Sequence, residues 1–415
     1  MLSKPAAALC CSGGSCQGLE LSLSAHCADA TTGVRLTRHP LLRIAQNSRR
    51  LAEAGDVDQS LDWALLCGRP PISPSRKGAS AMTNYKVVEV DPEGSLQSAE
   101  RELVEPPAGQ VRIRVEACGV CHSDSFTVQP HDPEKTPAIP GHEIVGVVDA
   151  SGPGVEGWAT GQRVGVGFLG GHCGVCQSCR MGNFVACTNQ PQTGMDVDGG
   201  YAEVVFARPS GLVAVPDDLT SAEAAPLLCA GFTTFNALLK AHTQPDDLVA
   251  IQGIGGLGHL GIQYAAKMGL RVVAVARGTA KEELARELGA HHYIDSTATD
   301  PGEALSKLGG AQAVIATAAA GDISPLLNGL ATGGRLVVVG ASDEPVKVTP
   351  VQLVFGDVRI MGSLTGSASQ NENNLRFATD QRIRAMIETR PMSEASEAYE
   401  RMSSGGARFR MVLTM

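Results

Sequence analysis

The 415-residue chain has no apolar stretch long enough to span a bilayer, which argues against a transmembrane helix. It also lacks an excess of positive charge. Its 34 Lys and Arg stand against 43 Asp and Glu, a formal net of −9. A non-specific nucleic-acid binder needs a basic surface, so that class is disfavoured. The twelve cysteines are not distributed like a disulfide framework. Five (Cys10, Cys11, Cys16, Cys27, Cys67) precede residue 82, four crowd between 173 and 187, and Cys118, Cys121 and Cys229 stand apart. Metal binding in a reducing compartment such as the cytoplasm explains this pattern better than disulfides do. Hydrophobic content of 43% and charge of 19% fit a globular protein, and the length allows two domains with real cores.

The first 81 residues differ from the rest. They hold nine Lys and Arg against six Asp and Glu, a net of +3, which leaves −12 for residues 82–415. Five arginines and no acid lie between Arg35 and Arg50, and Pro70-Pro71-Ile72-Ser73-Pro74-Ser75 reads as a linker. Residues 1–81 are expected to be a disordered or targeting extension, the latter for a mitochondrion or plastid. From Met82 the pattern is that of a folded domain.

Val111–Ala117 alternates as a half-buried strand, and Ile144–Val148 and Arg163–Val166 read as further short strands. This region is β-rich, with the cysteine run on a protruding loop. Near residue 220 the pattern changes. Ala222–Lys240 reads as helical and Leu248–Ile251 as an apolar strand. A glycine turn and a helix over 258–268 follow, then a strand at Arg271–Ala276 and a helix over 281–288. Further strands are expected at Ala313–Ala316 and Arg335–Val339. Strands alternating with helices predict a doubly wound parallel sheet. The tail from about Ser367 is expected to return to the first domain.

Three motifs carry chemistry. Cys173, Cys176, Cys179 and Cys187 form a C-x2-C-x2-C-x7-C run that can close a four-sulfur, structural zinc site. Gly253-Ile254-Gly255-Gly256-Leu257-Gly258 follows a strand and opens a helix, the context of a dinucleotide-binding turn. Cys121, His142 and Cys229 are spread along the chain. Two sulfurs and one imidazole would leave a fourth zinc position open for water or substrate.

These motifs, with Gly-Val-Cys-His-Ser-Asp (119–124), Pro-Gly-His-Glu (140–143), Gly-Gly-Tyr-Ala-Glu (199–203) and Ala-Pro-Leu-Leu-Cys-Ala-Gly (225–231), stand in one order along the chain. Together they make residues 82–415 resemble the zinc-dependent alcohol dehydrogenases of the medium-chain dehydrogenase/reductase family. The resemblance implies an α/β fold: a β-rich GroES-like catalytic domain over 82–229, a Rossmann cofactor domain over 230–366, and a return to the catalytic domain over 367–415. It implies hydride transfer between a nicotinamide cofactor and a small primary or secondary alcohol, or the matching aldehyde. It also implies two zinc ions per chain, one of them held by Cys121, His142 and Cys229, and a homodimer or homotetramer. Ser123 would take the substrate proton, Asp124 would orient His142, and Glu143 would stand behind the metal. His122, Thr233 and Arg410 would line the cofactor. Many members carry a histidine three residues after the serine; Phe126 stands there instead, so the usual proton relay is interrupted. Relatives specific for NAD end the second nucleotide strand on an acid. Here Ala276 holds that place, followed by Arg277 and, a turn later, Lys281, which predicts a preference for NADP(H) with NAD(H) as the lesser partner. Two rivals bracket the reading. A zinc-free quinone or enoyl reductase of the same fold would share the glycine turn and lack both metal sets. A non-enzymatic metal-binding protein would have no use for the turn.

Overall fold

The computed structural model describes residues 83–128, 138–318 and 321–415; the expectations for residues 1–81 and for a start at Met82 lie outside them. Seven strands come first: β1 (Asn84–Val90), β2 (Leu96–Glu102), β3 (Val111–Val120), β4 (Glu143–Ser151), β5 (Arg163–Val166), β6 (Val204–Ala207) and β7 (Leu212–Ala214). Six more follow a helical stretch: β8 (Leu248–Gln252), β9 (Arg271–Ala276), β10 (His292–Asp295), β11 (Ala311–Ala316), β12 (Leu330–Val338) and β13 (Arg359–Gly362). β14 (Ile387–Pro391) and β15 (Arg410–Thr414) end the chain.

The strands sort into two large sheets and a β1-β2 hairpin. One sheet is ordered β14-β15-β3-β4-β5-β7, with β6 also paired to β3. β3 shows why it forms: Val111, Ile113 and Val115 face inward while Arg112, Arg114 and Glu116 face outward. β15 pairs antiparallel with β3, so the last residues of the chain lie in the same sheet as the first strands. The other sheet is ordered β10-β9-β8-β11-β12-β13, and every neighbouring pair in it is parallel. Its central strands are largely apolar and buried because helices cover both faces. The winding reverses between β8 and β11, so the turn after β8 opens at the switch point where α/β sheets bind ligands. This is the GroES-like and Rossmann pairing expected from the sequence.

The helical stretch expected over Ala222–Lys240 is present but broken. Ala222–Lys240 is not a single helix but three pieces: a helical turn at Ser221–Ala224, a 3-10 turn at Ala225–Leu228, and a helix at Ala230–Lys240. Cys229 is the break, with φ −121° and ψ −73°. Pro226 removes one helical donor. The freed carbonyls are satisfied from elsewhere: Asn374 donates to Leu227 at 3.0 Å and Asn371 to Leu228 at 2.9 Å. Both asparagines lie on the helix Ala368–Asp380. The apolar part of the stretch stays buried. Leu227, Leu228 and Phe232 join one cluster with Val145 and Val412 of the first sheet and Ile251 and Val337 of the second. Each such side chain contributes on the order of 2 kcal/mol by leaving water. The kink at Cys229 is thus anchored from both sides.

Candidate active site

Cys121 ends β3 and opens a 3-10 turn, His122–Asp124. Asp124 is almost fully buried and gathers three partners. The Cys121 amide and the Tyr201 hydroxyl each donate to its Oδ2 at 2.9 Å, and His142 Nδ1 lies 3.0 Å from its Oδ1. That bond places the imidazole proton on Nδ1 and leaves a lone pair on Nε2. Nε2 is buried and has no hydrogen-bond partner. The Cys121 and Cys229 sulfurs lie 3.9 Å apart, too far for a disulfide and close to the edge of about 3.8 Å that two thiolates share around tetrahedral zinc. The ligand atoms of Cys121, His142, Glu143 and Cys229 all lie within 4.8 Å of one another. The Cys229 hydrogen bond holds Cys121 well below the usual thiol range, and the same bond pushes Cys229 well above it. The two sulfurs resist ionising together, a conflict that a bound cation would relieve, so the donor chemistry fits zinc.

Glu143 is buried behind this set. Its Oε1 accepts from the Arg410 guanidinium, while Oε2 has no partner. Burial pushes its carboxyl up to about 7 against the pull of Arg410. Arg410, expected from the resemblance to lie against the cofactor, is also the partner of Glu143. It is 4% exposed, and its guanidinium flanks the glycine turn, since a Cβ added at Gly256 would lie 2.8 Å from its Nη1.

The other expected residues fall on the same two elements or beside them. Ser123 is half-buried and His122 exposed on the turn after Cys121, and Phe126 is 49% exposed one turn on. Thr233 is buried on the helix that starts after Cys229, its amide bonded to the Cys229 carbonyl. At the glycine turn a Cβ on Gly258 would come within 1.7 Å of the Gly253 carbonyl, so only glycine lets the turn close. A Cβ on Gly255 would meet nothing within 4 Å. That open backbone, ahead of a helix starting at Gly258, fits a pyrophosphate. Beyond β9, Arg277 is exposed. The turn that carries it is gripped on both sides of Gly278: Asp295 accepts from its amide at 2.8 Å, and the Tyr293 hydroxyl donates to its carbonyl at 2.6 Å. Lys281 donates to the Ile254 carbonyl of the glycine turn at 2.6 Å and lies over the Phe409 ring.

The run at 173–187 also gathers, with all four sulfurs within 4.8 Å. The Cys173 amide donates to Cys187 Sγ, and the Cys176 amide to Cys173 Sγ, both at 3.4 Å. Backbone amides of Cys179 and Thr188 pull the Cys176 thiol down to about 6. Burial and the neighbouring sulfurs push Cys179 up to about 12, as expected when one thiolate is already present and no cation balances the next.

Three residues of the site had no role from the sequence. Tyr201 sits in the quoted Gly-Gly-Tyr-Ala-Glu segment. Its ring is fully buried, so its hydroxyl must find a partner, and that burial is not written in the local sequence. Phe168 packs edge-on against His142, ring centroids 5.2 Å apart, and lines a small cavity with Val213, Phe232, Thr365 and Asn371. Arg408 places a third cation near Arg277 and Lys281; it and Lys281 both lie over the Phe409 ring, 5.8 and 5.4 Å from the centroid. No spacing rule marks Arg408.

Two family descriptions match the chain: the alcohol dehydrogenase GroES-like domain over residues 107–217 and zinc-binding dehydrogenase over 256–380. The alcohol dehydrogenase patD of Penicillium expansum is 42% identical over 335 residues, covering 80% of this chain and 98% of that one. An alcohol dehydrogenase of Geobacillus stearothermophilus is 38% identical over 322 residues, covering 77% and 96%. Among solved structures, an NAD-dependent alcohol dehydrogenase superposes with a TM-score of 0.73 at 28% identity, over 80% of this chain and 99% of that one. A CAD from Helicobacter pylori complexed with NADP(H) does so at 0.70 and 25%, over 80% and 98%. Matches along nearly the full length of such relatives, on a fold with these two sheets, place this chain in the alcohol dehydrogenase branch of the medium-chain dehydrogenase/reductase family.

Proposed function

We propose that this protein moves a hydride between a small primary or secondary alcohol, or its aldehyde, and a nicotinamide cofactor, with NADP(H) preferred and two zinc ions bound per chain. One observation carries the reading: the buried, unpartnered Nε2 of His142 faces two sulfurs 3.9 Å apart. Arg410 joins that set to the open glycine turn through Glu143.

Zinc held by Cys121, His142 and Cys229 would supply a Lewis acid for the substrate oxygen. The nicotinamide would supply the hydride acceptor or donor. The chain does the rest. Asp124 and Tyr201 hold His142 in one tautomer and one orientation. Ser123, two residues from Cys121, takes the hydroxyl proton in oxidation and returns it in reduction. Phe126 cannot pass that proton on, so it leaves by water or the cofactor ribose. Arg410 keeps a positive charge between the pyrophosphate turn and Glu143. The second zinc belongs to Cys173, Cys176, Cys179 and Cys187, with a structural role.

The NADP(H) preference rests on the absence of a carboxylate at Ala276 and on Arg277, Lys281 and Arg408, three cations at the end of β9. A carboxylate there would repel a 2′-phosphate; a guanidinium on a gripped turn offers a forked partner. A homodimer is supported by β13, which ends the parallel sheet, and by Val351, Val354, Phe355 and Leu364 beside it, exposed by 64, 73, 82 and 55%. Pairs of such dimers would make the tetramer. The seven described cysteines are all free, in keeping with a reducing compartment such as the cytoplasm.

Metal analysis and kinetics test the reading together. Cys229→Ser should lose about one zinc per chain and its turnover with the fold intact; full activity without that metal would refute the site. Wild type should show the higher kcat/KM with NADP(H), and Arg277→Ala should erode that selectivity by roughly 30-fold. Wild type favouring NAD(H), or a variant with unchanged selectivity, would refute the preference.

A further inference from the structure

His259 is fully buried and belongs to neither sulfur-rich set, yet both its ring nitrogens are engaged. Nε2 lies 3.1 Å from the Met386 amide nitrogen, which can only donate. The ring proton is therefore on Nδ1, which donates to the Gly255 carbonyl at 2.9 Å. Burial pushes the ring's pKa down to about 4, so it stays neutral. One helical turn on, Gln263 grips the same segment, donating to the Arg384 carbonyl at 3.0 Å and accepting from its amide at 3.3 Å. The glycine-turn helix thus pairs with the backbone at 384–386, which leads into β14.

The path continues inward. The Met386 carbonyl accepts from the Phe409 and Arg410 amides at 2.9 and 3.0 Å. The Phe409 ring stacks on His259, centroids 5.0 Å apart and planes 28° from parallel. Arg410 then reaches Glu143. A line of polar contacts joins Gly255, His259, Met386, Arg410 and Glu143, running from the dinucleotide turn to the carboxylate behind the metal set.

We propose that His259 is a positioning residue that fixes the glycine turn against the strand carrying Arg410, so that a dinucleotide bound at the turn is felt at Glu143. The inference rests on the reading of that turn as the cofactor site. A pyrophosphate at Gly255 and Gly256 would compete with Glu143 for the Arg410 guanidinium, which already flanks Gly256. That competition is transmitted only if the turn and β15 keep a fixed register, and His259 and Gln263 set it. The Gly255 carbonyl also accepts from the His259 amide, at 3.1 Å. Loss of the ring therefore strands chiefly the Met386 N–H, and a glutamine could still supply that acceptor.

The test uses the full-length enzyme with cobalt exchanged into the Cys121, His142 and Cys229 set and ADP-ribose as ligand. Calorimetry gives its affinity, and the cobalt absorption bands report the surroundings of Glu143. In wild type, ADP-ribose should bind and shift the bands. His259→Leu should bind about tenfold more weakly and lose the shift, and His259→Gln should recover much of both. If His259→Leu does not fold, Gln263→Ala should weaken binding and blunt the shift in the same direction; no change in either would overturn the proposal. So would a His259→Leu variant with wild-type affinity and band shift, or two His259 variants that lower the melting temperature alike and leave both readouts unchanged. If wild type binds ADP-ribose with no band shift, the coupling fails while the cofactor site stands. If it does not bind at all, both fall.

Discussion

Asp124 sets the geometry of the candidate metal set by fixing His142. With one oxygen on His142 Nδ1 and the other held by the Cys121 amide and the Tyr201 hydroxyl, the carboxylate can neither turn away nor be replaced by water. Asp124→Asn keeps the shape but offers one acceptor oxygen where three donors converge. Zinc affinity at that set should fall by about 10- to 100-fold, read by chelator competition, while the four-sulfur set keeps its metal. Equal loss from both sets would mean that the substitution merely loosens the fold. The pairing of Asp124 with His142 was legible in the sequence once the motif was identified. Tyr201 was not, because its role depends on burial, which comes from Gly199 packing against Pro140 and Gly141 and Gly200 against Cys118 and Ile144. Arg410 was read as a cofactor contact; the carboxylate it pairs with is 267 residues away along the chain, so no local pattern reports it.

At the scale of elements, two local irregularities place the chemistry. The first is the break at Cys229. The sequence from Ala222 to Lys240 reads as helical, and both pieces on either side of the break are largely buried. The break depends on Asn371 and Asn374, from a helix that starts about 140 residues later, satisfying the carbonyls that the break exposes. No local signal could report them. The second is the cysteine loop. It has little apolar content facing inward, and Val175 and Met181 are 75 and 76% exposed. Its order must come from the sulfurs and the ion they can hold. Cys176→Ala should therefore lower the melting temperature by several degrees and release about one zinc, with turnover per folded chain retained. An unchanged melting temperature and zinc content would show that the loop folds without metal. This set was legible from sequence because its ligands are local.

Over the whole molecule, the parallel sheet ends in a short strand, β13, that pairs among the described residues with β12 alone. An unpaired edge beside exposed Val354 and Phe355 is a template for a second copy. Phe355→Asp should lower the mass measured by light scattering toward that of one chain, 43.1 kDa, with the circular dichroism spectrum unchanged. A mass that stays at the wild-type multiple would move the interface elsewhere. What the sequence determined by itself is whatever is written within a few turns of chain: the alternation of β3, the apolar runs of β8 and β9, the glycine turn, the four-sulfur loop, and the missing acid at Ala276. Tertiary structure alone decided the meetings between distant segments. Cys229 comes to Cys121, Arg410 to Glu143, Arg408 to Lys281, and His259 to Met386, because β15 adds to the sheet begun by β3 while the glycine-turn helix packs against the segment before β14. Such contacts follow from the order of strands in a sheet, which short-range patterns of polarity do not encode.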